Sequence, residues 1–228
     1  SDRSMRRRYR NCAMDTTNVI CHEAVNSYPW SQPSVNRNRN LHDKVKEDVD
    51  YGPLAVLIGT WKGDEGMDVA PEPDDDERNP FYETLVFSAA GDTTNAEEEV
   101  LAVVRYHQEV RRKSTGLVFH DQVGYWLWNS ETGEVIQTLT IPRGVTLLAG
   151  GKASVEGDKT IFEVSARAGN PDFNIIETTF MHKKARTKGF THRLEVSGDR
   201  MSYSETTLLD IYDKRNYEHT DDNTLTRV

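Results

Sequence analysis

The run Leu117-Val118-Phe119-His120-Asp121-Gln122-Val123-Gly124-Tyr125-Trp126-Leu127-Trp128 leads through Ser130-Glu131-Thr132-Gly133 into Glu134-Val135-Ile136-Gln137-Thr138-Leu139-Thr140-Ile141. Two runs rich in β-branched and aromatic residues, joined by a short connection ending in glycine, read as a β-hairpin. Alternation puts His120, Gln122, Gly124, Trp126 and Trp128 on one face of the first strand, and Asp121, Val123, Tyr125 and Leu127 on the other. The same grammar extends in both directions. Further strands are predicted over 60–67, 82–89, 98–111, 145–150, 160–168, 175–183, 189–196, 200–211 and 219–227. Turn chemistry falls at Glu156-Gly157-Asp158 and Ser197-Gly198-Asp199. About ten sequential strands on short connections predict an all-β fold, either a sandwich or an antiparallel up-and-down β-barrel. Meander connectivity favours the ten-stranded barrel, which closes its own edges. A barrel that wide is expected to enclose a ligand cavity, so a small-molecule binder is the default expectation.

Ahead of the strands, Leu41, Val45 and Val49 among charged residues predict a short N-terminal helix over 41–50, broken by Gly52 and Pro53. Residues 54–58 form a brief apolar turn that Gly59 ends. The first forty residues differ in kind. They hold seven Arg, no Lys and three acids, a net of +4, whereas the remainder has 21 basic and 34 acidic residues, a net of −13. They also hold both cysteines and none of the 15 glycines. Such a stretch cannot bury enough apolar surface to offset its ordering entropy and reads as a flexible N-terminal tail. The expected domains are therefore residues 1–40, a basic tail, and 41–228, the barrel. The tail could touch an anionic surface through Arg6-Arg7-Arg8, or be an unselected extension.

Several classes are excluded. Cys12 and Cys21 are too few for a disulfide framework. With His22 they match no common zinc spacing, so two thiols in a reducing, cytoplasmic setting is the expectation. No apolar run approaches the roughly 20 residues of a membrane-spanning helix, and no apolar stretch follows the basic N-terminus as a secretory leader would require. The acidic balance of the whole chain, −9, argues against nucleic acid as the barrel's partner. There is no phosphate loop, dinucleotide fingerprint, G-x-S-x-G elbow or H-E-x-x-H helix. The segment 64–77 carries eight carboxylates and no base. It lacks a calcium-loop pattern and reads as a solvated acidic insertion. For the face shared by His120, Trp126 and Trp128, two readings stand. The histidine and the rings could bound a flat ligand, or the tryptophans could plug one end while His120 only hydrogen-bonds a neighbour.

The stretch Gly52-Pro53-Leu54-Ala55-Val56-Leu57-Ile58-Gly59-Thr60-Trp61-Lys62-Gly63 resembles the opening of the nitrobindin family. Members of that family are ten-stranded antiparallel β-barrels, shaped like fatty-acid-binding proteins, that hold b-type haem. The family's Gly-x-Trp-x-Gly-x-Gly reads here as Gly59, Trp61, Gly63 and then Gly66, one residue late. Phe119-His120-Asp121-Gln122-Val123-Gly124-Tyr125 resembles a second family strand, with Gln122 in place of an acidic or small residue. The resemblance implies that His219, at the start of the last strand, is the single axial ligand to haem iron. It implies that Gly59, Trp61 and Gly63 belong to the cofactor pocket. It further implies that His120 is the distal, catalytic residue, acting as a hydrogen-bond donor or steric gate within an apolar lining. The polar setting of His219, with Asp221 on the same face, also fits a surface histidine. His182 and His192 are fallback ligands that match no family motif.

The implied function is binding of nitric oxide and related nitrogen oxides at haem b. With it comes the activity of a haem-dependent peroxynitrite isomerase yielding nitrate. The alternative is a non-catalytic carrier of a small apolar ligand without haem, gripping a carboxylate through buried Arg105 or Arg143. An enzyme acting on an organic substrate in the same cavity is a third possibility.

Overall fold

The structure, a computed structural model, describes residues 49–228. The tail 1–40, with Arg6-Arg7-Arg8, Cys12, Cys21 and His22, lies outside the described residues, as do residues 41–48 of the expected helix. The described chain opens with a 3-10 helix, Gly52–Leu57, that carries Pro53 in its first turn and buries Leu54 and Leu57 completely.

The strands are β1 (Gly59–Pro71), β2 (Asp76–Asn95), β3 (Glu99–Arg112), β4 (Val118–Asn129), β5 (Glu134–Ile141), β6 (Val145–Glu156), β7 (Lys159–Arg167), β8 (Ile175–Glu177), β9 (Ala185–Ser197), β10 (Arg200–Ile211) and β11 (Lys214–Arg227). All pairings are antiparallel. β1 to β7 and β9 to β11 form a closed ring, sealed where β11 returns to β1, so the expected ten-stranded antiparallel barrel is what the chain builds. β8 is an annex of three residues that pairs with β6 at Val145–Leu147, where β7 does not reach.

Two expectations need correction. The predicted strand 175–183 is β8 followed by a helix, α1 (Thr179–Lys184). Thr178 caps that helix by accepting from Met181 N at 3.3 Å, and His182, Lys183 and Lys184 sit in its last turn, where positive charge suits the helix dipole. The acidic segment 64–77 is not a solvated insertion. Residues up to 71 continue β1 and those from 76 open β2, paired from Gly66↔Phe81 to Pro71↔Asp76, so only the tip at 72–75 is a loop.

The barrel has a plugged end and a mouth. At the plugged end the 3-10 helix packs against Trp61, whose Nε1 donates to Leu57 O at 2.7 Å, and against Trp128, whose ring lies over Gly52. Arg227 stacks on Trp61 with its guanidinium 4.1 Å from the ring centroid and binds Ile58 O and Val56 O. Below this plug Trp126 meets Phe162 edge-on, centroids 5.5 Å apart, with Leu194, Met201 and Leu225 around them, each almost wholly buried. Fully burying such side chains stabilises the fold by roughly 1.5–3 kcal/mol each. The mouth lies at the opposite end, framed by the β1–β2, β3–β4, β5–β6 and β10–β11 connections and α1.

Candidate functional site

Strand β1 decides which acidic side chains enter the barrel. Simple alternation from the buried Trp61 would turn Gly63, Glu65 and Met67 inward and Asp68 outward. The register differs: Gly63 pairs with Glu83 and Gly66 with Phe81, so β1 has one residue more than β2 over this span. The same surplus shows against β11, where Lys62↔Thr226 is followed by Met67↔Asp222. This is a β-bulge. It explains why the last glycine of the motif arrives one residue late, and it brings Gly66 and Asp68 to the inside. A side chain at Gly66 would put its Cβ 2.1 Å from the Phe81 ring, so the strand needs glycine there.

Asp68 stands beside Asp221 of β11 in register and accepts from Asn79 Nδ2 at 2.8 Å. His219 Nε2 is 2.6 Å from Asp68 Oδ1 and 3.6 Å from Asp221 Oδ2. One donor atom from each of the three side chains lies within 4.8 Å of the others, close enough to share a metal ion. Asp68 is buried, whereas the side chains of His219 and Asp221 each remain 27% exposed, so the group is open to the mouth.

Burial acts to raise the Asp68 carboxyl, but hydrogen bonds from His219 and Asn79 outweigh it and hold it below the ordinary carboxylate range. Burial opposes the His219 charge, yet the bond to Asp68 and the charges of Asp221 and Asp68 raise the imidazole above its ordinary value. Asp221 is pushed up to about 7, by burial first and also by the negative charge of Asp68. Glu205, directly opposite Asp221 on β10, is raised well above the usual range by burial and by the charges of Asp221 and Glu83. Glu83 is raised by burial, although Asn223, Gln108 and Tyr203 all donate to it. Four carboxyl groups therefore share the inner wall below the mouth. This corrects the expected apolar lining.

His120 occupies the facing wall on β4, half-buried, with Nε2 at 3.1 Å from Gln122 Oε1. Burial first lowers its basicity, and the charges of Arg143 and His219 lower it further. Arg143 is exposed on the β5–β6 turn and donates to Phe119 O at 3.4 Å.

The structure thus brings His120 and His219 together. It does not bring them to Gly59 and Trp61, which sit at the plugged end. Gly63 lies on the wall between, where an added Cβ would fall 2.6 Å from Thr224 O. Of the fallback ligands, His182 is on the outer surface on α1, 3.5 Å from Glu177, and His192 is buried in the core between Trp126, Phe190 and Tyr203. Arg105 and Arg143 are both exposed, so the buried carboxylate grip of the carrier alternative is not formed. Of the two readings of the β4 face, the second describes what forms: the tryptophans fill the plugged half, and His120 bonds Gln122 at the other end. Sequence reasoning missed Asp68 and Glu205, and the late glycine was the one signal for Asp68. A cleft of about 510 Å3 lies on the outer wall of β7, β9 and β10, beside Arg167, Phe173 and Leu208, and holds none of the histidines.

Among the described residues no helix is long and apolar enough to cross a membrane. No curated protein sequence matches the chain. Among solved structures, Rv2717c from M. tuberculosis superposes with a TM-score of 0.60 at 23% identity, covering 78% of this chain and 99% of that one, a likeness of fold. The family model described as the THAP4-like, heme-binding beta-barrel domain matches residues 50–227. That span takes in the whole barrel with its bulged first strand and both mouth histidines, and the chain belongs to this family of haem-binding β-barrels, the nitrobindins.

Proposed function

We propose that the chain holds haem b in the mouth of its barrel with His219 as the single axial ligand. Haem held there would supply binding of nitric oxide and related nitrogen oxides, with isomerisation of peroxynitrite to nitrate as the reaction we assign to it. The observation that carries this reading is the His219–Asp68 pair at 2.6 Å inside an open mouth. The donor set suits an iron porphyrin. One wall presents an imidazole backed by an ionised carboxylate, the arrangement that orients a ligating histidine and raises its donor strength. The other wall presents a second imidazole, and the surplus of carboxylates suits a ferric centre. Haem supplies an electrophilic iron with an open position for a small ligand.

The chain's own residues do the rest. Asn79 holds Asp68, and Asp68 holds one nitrogen of His219, leaving the other for the metal. Since His219 carries a raised proton affinity in the ligand-free protein, loading releases a proton and is weaker at low pH. Arg143, exposed at the rim, would be the cation available to a carboxylate of the porphyrin. His120, on the other wall, would face a small ligand held by the haem. The reducing, cytoplasmic setting expected from the cysteines is consistent with such a role.

A second reading has its own observation. The clustered donors of Asp68, His219 and Asp221 suit a bare divalent cation as well. One titration separates the two. Ferric haem added to the purified full chain should give a sharp Soret band at one equivalent, lost in His219→Ala and retained in His120→Ala with altered nitric oxide binding. Asp68→Asn should weaken haem binding about 10- to 100-fold. If wild type takes up zinc stoichiometrically but no haem, the second reading replaces the first.

A further inference from the structure

The barrel interior contains a hydrogen-bonded chain whose direction can be deduced from one atom. The Tyr106 hydroxyl donates to the backbone carbonyl of Thr138 at 3.1 Å. A carbonyl oxygen only accepts, so the single phenolic proton is committed there. Tyr106 is fully buried, and burial raises its phenol, so it stays protonated. Its oxygen also lies 2.9 Å from Gln122 Nε2 and 3.2 Å from Gln137 Nε2, and it must accept from both. Both amides are thereby oriented, with their carbonyl oxygens pointing away from Tyr106. Gln122 Oε1 meets His120 Nε2 at 3.1 Å, and Gln137 Oε1 meets His192 Nδ1 at 3.0 Å. Each of these ring nitrogens must carry a hydrogen.

In the neutral form of each ring the lone pair therefore falls on His120 Nδ1 and on His192 Nε2. His192 is neutral, since burial lowers it to about 4. Its Nε2 is buried and has no hydrogen-bond partner among the described residues. Beside it is a void of about 10 Å3, lined by Tyr106, Gln108, Gln122, Gln137 and Tyr203 among others, which is room for one water molecule. Gln108 uses its amide nitrogen on Glu83 at 2.7 Å, leaving its carbonyl oxygen as an acceptor on the same void.

We infer that Tyr106 is a positioning residue that fixes the tautomers of both His120 and His192, and that the void binds one water molecule that donates to His192 Nε2. At the mouth, the nitrogen His120 has free is then an acceptor. This reverses the donor role expected for it from the family resemblance. A ligand that brings its own proton is favoured there over a bare anion, a last step that rests on the haem reading above.

The test uses the full chain without haem, so failure of the haem reading leaves it untouched. Nitrogen NMR on protein labelled at histidine, near pH 7.5, should show a proton on Nε2 of His120 and on Nδ1 of His192. In Tyr106→Phe, which frees both amides to rotate, the two signals should move to mixed tautomers. In Gln122→Leu only His120 should change, which keeps the test sound if Tyr106→Phe does not fold. A crystal structure should show one ordered water within hydrogen-bonding distance of His192 Nε2. A wild-type proton on His120 Nδ1 or on His192 Nε2, tautomers unmoved in folded Tyr106→Phe, or no water at His192 would each overturn the inference.

Discussion

At the plugged end of the barrel, Leu54, Leu57, Trp61 and Trp126 fill the space with apolar volume and almost no exposed surface. Towards the mouth the same strands fill it with Asp68, Glu83, Glu205, His219 and Asp221. Since β1, β10 and β11 run through both halves, the contrast is not one of fold. It follows from which residues occupy the inward positions of each strand. The lower half gains stability from every contact it makes. In the upper half, four carboxyls share the space with only two imidazoles, His219 and His120, an arrangement that opposes folding.

The largest expected effect lies in the lower half. Trp126→Ala removes a ring packed on Phe162 and His192 and should cost about 3–5 kcal/mol in denaturant unfolding. A loss below 1 kcal/mol would mean that the plugged half is not the stability core. Next in size is the boundary between the halves. His192 titrates near 4 when folded against 6.5 as a free side chain. Its folded value is depressed, so its contribution is complete above about pH 6.5 and is lost as pH falls through about 4. The loss should total roughly 3 kcal/mol. Unfolding free energies measured from pH 7 to 4 should show this decline in wild type and a flatter profile in His192→Phe. The smallest effect is in the mouth and has the opposite sign. Glu205 is raised when folded, so its contribution is intact at low pH and lost as pH rises through the folded value. Glu205→Gln should therefore stabilise the protein by on the order of 1 kcal/mol near pH 9 and leave it unchanged near pH 3.5, below the ordinary glutamate value. Destabilisation at both pH values would remove the contrast between the two halves.

The barrel was legible in the sequence because hairpin signals and period-two alternation are local, and a meander needs little else. His120 was legible for the same reason: β4 alternates cleanly through its inward face from His120 to Trp126. His219 and Asp221 could likewise be placed on one face from spacing alone. Asp68 could not, because its orientation depends on a register that only the neighbouring strands reveal. Eight carboxylates in fourteen residues looked like a solvated loop, yet strand pairing carries five of them into the sheet and leaves only Glu72, Asp74 and Asp75 in the tip. The helix α1 was hidden for a related reason, since 175–183 has the composition of a strand and only the Thr178 cap and the basic last turn mark the change. The Tyr106 chain joins residues from β3, β4, β5 and β9, a juxtaposition no single-strand pattern encodes.

The extra residue between Gly63 and Gly66 makes strand length a carrier of chemical information. Removing one residue there would restore simple alternation with Gly66 and Asp68 still inside, whereas pairing the full-length strand without its bulge would exchange the inner and outer roles of every position from there to the hairpin tip. In that unbulged strand Asp68 would face solvent, Met67 and Val69 would face the mouth, and His219 would lose its carboxylate. A first strand one residue shorter and unbulged therefore presents the same inward side chains, an equivalence that counting alternation along the sequence alone would overlook.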